Sequence, residues 1–219
     1  WNGAEHFTIV KHGIKFTGMP AWPTKNRDDE VWAMVAFLQR FPSLDAAQYQ
    51  QLAFGDAGST GCARCHGRDG FPKLAGQNEA YLYNSLRAFQ AGRRHSGIME
   101  PVAAGLSDAQ MREMAAYYAN LPLPADRSPV TRGREIAYRG IPLQKVPACA
   151  DCHGPSEPQP RSDYPMLAGQ HADYLVLQLE LFAKGHRGGT AYAHLMQEVA
   201  PKLTAQQMRD VAAYYASLR

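Results

Sequence analysis

Two pentapeptides constrain this chain more than anything else in it: Cys62-Ala63-Arg64-Cys65-His66 and Cys149-Ala150-Asp151-Cys152-His153. The second begins 87 residues after the first (149 − 62). Both read C-x-x-C-H. On a helix, positions i and i+3 share a face, so the two thiols of each copy can bond to the two vinyl groups of one porphyrin. The residue that follows then offers an imidazole to the iron. C-x-x-C-H is the attachment signature of a c-type haem, and His heads the short list of haem-iron ligands.

Two other chemistries use C-x-x-C. A zinc ribbon separates its halves by about 15–20 residues, far fewer than here. A thioredoxin-like dithiol needs a βαβ context, and no alternating strand pattern runs through this sequence. The chain holds four Cys, and the two motifs use all of them, which leaves none for a disulfide. The expected cofactors are therefore two covalently attached haems (haem C, iron). Cys62, Cys65 and His66 would hold one, and Cys149, Cys152 and His153 the other.

Such haems are attached outside the bacterial cytoplasm, so a periplasmic location is expected. No run of 18 apolar residues is present, so no transmembrane segment is expected. The chain opens on Trp1 without a signal peptide, which suggests a processed or truncated product. The formal charge of +3 is too small for a nucleic-acid footprint, and the propionates of two haems would more than offset it.

The second constraint is an internal repeat. Pro72-Lys73-Leu74-Ala75-Gly76-Gln77 returns as Pro165-Met166-Leu167-Ala168-Gly169-Gln170. Each copy leads to a Tyr-Leu pair (Tyr81-Leu82, Tyr174-Leu175), an apolar helical stretch and a Gly-basic turn, Gly92-Arg93-Arg94 or Gly185-His186-Arg187. The tails from Ile98 and from Leu195 then align without a gap. Ser107 with Gln110, and Thr204 with Gln207, fit the S/T-x-x-E/Q capping box. Met111, Ala115 and Tyr118, like Met208, Ala212 and Tyr215, recur at i, i+4, i+7 on one apolar face. Those two Met belong to a core. Met99 and Met196 are different. They stand at matching places after the Gly-basic turn, read as loops, where a thioether can reach the far side of a haem. They are the candidate sixth ligands, because His/Met is the ligand pair expected of an electron-transferring c haem. Pro72 and Pro165 could offer carbonyls to the rings of His66 and His153. Tyr81, Tyr174, Arg93 and Arg187 are weaker candidates for propionate contacts.

Taken together, C-x-x-C-H-G, P-x-L-A-G-Q, Tyr-Leu, Gly-basic, Met and A-A-Y-Y resemble the di-haem cytochrome c4 family, and more broadly the class I c-type cytochromes. The resemblance covers about residues 46–219. It implies an all-α fold of tandem class I cytochrome c domains related by a pseudo-twofold, 46–124 with the first haem and 130–219 with the second, joined by the Pro-rich stretch from Leu121 to Pro129. It also implies an electron-transfer protein rather than an enzyme. Its partners would be redox proteins met transiently, with peripheral association to a membrane oxidase or a dehydrogenase. The alternative is a haem redox enzyme such as a peroxidase or a thiosulfate-oxidising cytochrome. That requires an open coordination site or an unusual ligand, and neither is suggested here.

Residues 1–45 carry a third, partial copy. Met19-Pro20-Ala21-Trp22 leads, at the same offsets, to a helical stretch from Asp28 to Leu38, with Arg27 at the cap position. No Cys precedes Met19, so no third covalent haem can form on this chain. The segment is read as the C-terminal remnant of a further cytochrome c domain from a tri-haem protein. Trp22, Trp32 and Phe37 would then need substitute packing.

Overall fold

The computed structural model describes residues 1–54, 61–68, 70–122, 133–154 and 162–218. It is helical throughout, with one isolated bridge between Ile141 and Val146 as the only β pairing among the described residues. Among the described residues twelve α-helices follow one another: α1 (Gly3–His12), α2 (Asp28–Arg40), α3 (Ala46–Phe54), α4 (Ala63–His66), α5 (Glu79–Gln90), α6 (Met99–Ala104), α7 (Asp108–Ala119), α8 (Arg134–Arg139), α9 (Ala150–His153), α10 (Ala172–Ala183), α11 (Ala193–Val199) and α12 (Ala205–Ala216). Most of the stretch from Leu121 to Pro129 lies outside the described residues.

The repeat becomes a repeat of architecture. A one-turn helix carries each C-x-x-C-H, and α5 with α7, or α10 with α12, forms a packed pair. Both capping boxes form. The Ser107 hydroxyl accepts from Gln110 N–H at 3.3 Å while the Gln110 side chain accepts from Ser107 N–H at 2.9 Å. Thr204 and Gln207 do the same at 3.2 and 2.8 Å. Each box fixes where its helix starts and so which face turns inward. Met111, Ala115, Met208, Ala212 and Tyr215 are buried, as the periodicity predicts. Tyr215 spans the second unit, its hydroxyl donating to the Gly154 carbonyl at 2.9 Å.

The N-terminal 45 residues build the same pair again in reduced form. α1 packs on α2 around Val10, Val31 and Val35, with Phe7, Trp22, Met34 and Leu38 at the margin. Gly13 ends α1 at φ +67°, matching Gly92 at +60° and Gly185 at +68° after α5 and α10. Only glycine takes that left-handed turn without strain. Trp32 stacks on Phe7 with ring centroids 4.5 Å apart. Phe37 meets Phe41 and Tyr49 at 6.0 and 6.5 Å. Two of the three aromatics thus find rings of their own chain, and Trp22 joins the small core.

Among the described residues no helix is long and apolar enough to cross a membrane.

Candidate haem-binding sites

Each motif helix opens on a cysteine that is already in the helical region, Cys62 at φ −64°, ψ −34° and Cys149 at φ −64°, ψ −33°. Because the turn starts there, Cys62 and Cys65 lie one turn apart on one face, as do Cys149 and Cys152. All four thiols are free and partly buried. Burial raises the Cys149 thiol to about 11. The long partner helices close over these turns: Tyr118 of α7 comes up against Cys62, and Cys149 packs beside Tyr215 of α12.

The two histidines are set identically. His66 Nδ1 lies 2.8 Å from the Pro72 carbonyl, and His153 Nδ1 lies 2.8 Å from the Pro165 carbonyl. A carbonyl only accepts, so in each ring Nδ1 must carry the proton. Nε2 is then left with a lone pair, the form a metal binds. Burial pushes both rings below the usual histidine pKa, outweighing the proline carbonyls, with Arg94 adding to the effect at His66 and Arg187 at His153. Both rings are thereby neutral and oriented, which is what a ligand histidine needs.

Met99 and Met196 do not sit in loops. Met99 is the first residue of α6, and Met196 lies inside α11. Local polar groups start α6 early, because the Ser96 hydroxyl accepts from the Ile98 and Met99 N–H groups at 3.3 and 3.0 Å. Both Met are half-buried, and Met196 packs against Phe182, Ala193 and Ala200.

Between the two units the contacts are reciprocal. Gln77 exchanges two bonds with the backbone of Met166, accepting from its N–H at 2.7 Å and donating to its carbonyl at 2.8 Å. Gln170 does the same to Lys73 at 2.9 and 3.0 Å. Gln77 and Gln170 are equivalent in the repeat, and so are Lys73 and Met166. Residue i touches j′ and j touches i′, the mark of a twofold relation. The arginines obey it too. Arg187 donates to the Tyr81 hydroxyl at 2.8 Å, and Arg94 approaches the Tyr174 hydroxyl at 3.4 Å. Each guanidinium also lies over a ring of its own unit, Arg94 on Phe89 at 4.6 Å and Arg187 on Phe182 at 4.5 Å.

The second arginine of the Gly-basic turn is therefore Arg94, not Arg93. Counting from Gly92 and Gly185 makes Arg94 the counterpart of Arg187 and leaves Arg93 exposed opposite His186. Among the described residues neither Arg94 nor Arg187 has a carboxylate in ion-pair reach. Burial alone would raise the Tyr81 phenol, but the charges of Arg187 and Arg94 outweigh it and hold Tyr81 down to about 8. Two cations set between the units without anions fit a cofactor that brings its own carboxylates. Haem propionates are such groups, and the cysteines and neutral imidazoles fit the rest of the same cofactor.

The cytochrome c family model matches residues 131–219. A thiosulfate dehydrogenase electron acceptor of Stutzerimonas stutzeri is 36 % identical over 171 residues, covering 72 % of this chain and 78 % of that protein. A cytochrome c4 of Pseudomonas aeruginosa is 34 % identical over 176 residues, covering 76 % and 88 %. The solved cytochrome c4 structure from Acidithiobacillus ferrooxidans superposes with a TM-score of 0.63 at 34 % identity, covering 72 % of this chain and 98 % of that one.

Proposed function

Because this chain belongs to the di-haem cytochrome c4 family, and is an electron-transfer protein with covalently bound c-type haems, we propose that His66 with Met99, and His153 with Met196, are the axial pairs of its two haems. Cys62 and Cys65 carry the thioether bonds of one, and Cys149 and Cys152 those of the other. When bound, each haem supplies a ferrous/ferric couple whose potential depends on axial ligand, hydrogen bonding and burial. The protein does the rest. Pro72 and Pro165 hold the imidazoles in one tautomer and one orientation. Met99 and Met196 would complete the protein ligands of each haem and would leave no site for water or substrate, as electron transfer without bond chemistry requires. Arg94, Arg187, Tyr81 and Tyr174 meet the propionates between the units and offset their charge. Residues 46–124 and 130–219 are the two haem domains, and residues 1–45 repeat the Met-bearing C-terminal end of such a domain without a haem motif.

The observation that supports this most is the duplicated ligand-histidine geometry, the same 2.8 Å bond from ring Nδ1 to a proline carbonyl in both units. Covalent haem attachment supports a periplasmic location. Relatives named as electron acceptors of thiosulfate dehydrogenase support a periplasmic dehydrogenase of that class as donor, with onward transfer to an oxidase at the membrane. Such encounters are small and brief. Intact mass should exceed the 24.2 kDa polypeptide by two haems. The ferric protein should show the weak near-infrared band of Fe–S(Met) ligation, halved in Met99→Ala and in Met196→Ala. Full retention of the band in both variants refutes the axial assignment.

A further inference from the structure

The two haem units differ at the segment before the methionine. Ser96-Gly97-Ile98-Met99 in the first stands where Ala193-His194-Leu195-Met196 stands in the second. The first segment is gripped from outside its own unit. Glu30 of α2 is buried and points both carboxylate oxygens at it. Oε1 accepts from the Ser96 hydroxyl at 2.6 Å, and Oε2 accepts from the Gly97 N–H at 2.7 Å. The same Ser96 hydroxyl accepts from the Met99 N–H, so Glu30 is one hydrogen bond removed from the Met99 backbone.

Charge and shape around Glu30 agree. Arg27 pairs with it at 3.0 Å and donates to the His95 carbonyl at 2.6 Å. The Trp22 indole N–H donates to Oε2 at 3.1 Å. The indole lies so close to Gly97 that a Cβ there would fall 2.4 Å from its nitrogen. A second strut runs from the Thr24 hydroxyl to Glu100 at 2.7 Å, and the same Glu100 oxygen accepts from Ser96 N–H at 2.8 Å. Burial alone would raise the Glu100 carboxyl, but Thr24, Ser96 and His95 together hold it below its ordinary range. Ala193, the counterpart of Ser96, has no hydroxyl, so the second unit cannot take the same grip.

We propose that the N-terminal helix pair is a clamp on the Met99 segment, with Glu30 as the positioning residue that restricts release of Met99 from the first haem iron. Among the described residues the clamp has no counterpart at Met196. It rests on the axial assignment above, and it adds an asymmetry that the repeat itself does not contain. For an outside ligand to replace Met99, the segment must swing away, and that breaks the bonds to Glu30. One hydrogen bond to a charged group is worth about ten- to hundredfold in such an equilibrium.

The test is an imidazole titration of the ferric, haem-loaded full chain, followed by loss of the near-infrared Fe–S band. Binding at the first haem is the phase missing in Met99→Ala. In Glu30→Ala that phase should tighten by about tenfold or more, while the Met196 phase stays put. Glu30→Gln keeps one acceptor for Gly97 and Trp22 and should recover part of the effect. Gly97→Ala attacks the clamp from the other side, by wedging Trp22 away, and should reproduce the tightening without removing any core side chain. Wild-type imidazole affinity at the first haem in both Glu30→Ala and Gly97→Ala overturns the clamp. So does an equal change at both haems, which would mean general loosening. If instead Met99→Ala keeps the full near-infrared band, the axial assignment has failed, and the clamp falls with it.

Discussion

Removing Gln77 tests whether the two haem units fold as one. Gln77 is 8 % exposed and serves two backbone groups of Met166, 89 residues away. Alanine there removes both bonds that Gln77 makes to Met166. Losing such a bond at a buried polar group costs about 1–3 kcal/mol. Met166 is half-buried, so water recovers part of the loss and the low end applies to each group. The expected destabilisation is about 2 kcal/mol (two groups at about 1 each). Gln170→Ala should match it, because Gln170 treats Lys73 the same way. The double variant should not simply add. Once one pair of bonds is gone and the interface opens, the second pair has less left to lose, a coupling of about 0.5–3 kcal/mol. Guanidinium chloride unfolding of the haem-loaded protein, read by haem absorbance and by far-ultraviolet circular dichroism, separates the cases. Each single variant should lower the midpoint of one cooperative transition, and the double variant should unfold in two. If both single variants stay within about 0.5 kcal/mol of wild type, the range of ordinary surface changes, the reciprocal bonds do not hold the units together.

Three further outcomes are expected. Met111→Ala, in a site only 1 % exposed, should cost about 2–5 kcal/mol as a core cavity yet leave the near-infrared band intact, the opposite of Met99→Ala. Loss of the band in Met111→Ala would show that core and ligand roles have been confused. The Asp108 carboxyl is held down to about 2 by the Tyr83 hydroxyl, then Arg87, then Arg112. A depressed carboxyl contributes stability above its unfolded pKa and loses it as pH falls through the folded one. Thermal midpoints should therefore drop between pH 3.8 and about 2, and Asp108→Asn should flatten that limb; an unchanged slope would count against the α5–α7 staple. Tyr215→Phe removes the bond to the Gly154 carbonyl and should lower stability by about 1–3 kcal/mol, measured by denaturant midpoint, with no change in haem stoichiometry by mass.

What the sequence reveals and what it hides divide along contact range. C-x-x-C-H, the capping boxes and the buried Met111 and Met208 are local patterns, and a repeat doubles each signal. The bond from His66 to Pro72 spans six residues, short enough to be suspected from spacing. Gln77 and Gln170 are visible as repeated letters, but nothing local says that each reaches into the other unit. That depends on how two finished domains dock. Arg94 was masked by its neighbour Arg93, and only strict counting from the turn glycine, or the structure, separates them. The helical setting of Met99 depends on the Ser96 hydroxyl, which lies just ahead of the stretch where the repeat aligns. Glu30 carried no signal at all. In sequence it is one of three acidic residues opening α2, the ordinary composition of a helix start.

Duplication explains where the symmetry holds and where it stops. A contact that each unit makes through residues both have inherited must appear twice, as it does for Gln77 with Gln170 and for Arg94 with Arg187. A contact made through a residue present in only one unit can appear once. From the basic turn to the methionine the first unit uses five residues (99 − 94) and the second nine (196 − 187). The shorter connection carries Ser96 and Gly97, and a glycine beside a serine is what lets the Trp22 indole and the Glu30 carboxylate come so close. The longer one is braced from within its own unit, where Gln197 donates to the Arg187 carbonyl at 2.9 Å. The reciprocal glutamine and arginine bonds are thus common to both units, whereas the segments that carry Met99 and Met196 differ. On the proposed axial assignment, a difference placed there would act on one iron at a time, whereas a change at the arginines and tyrosines between the units would act on both.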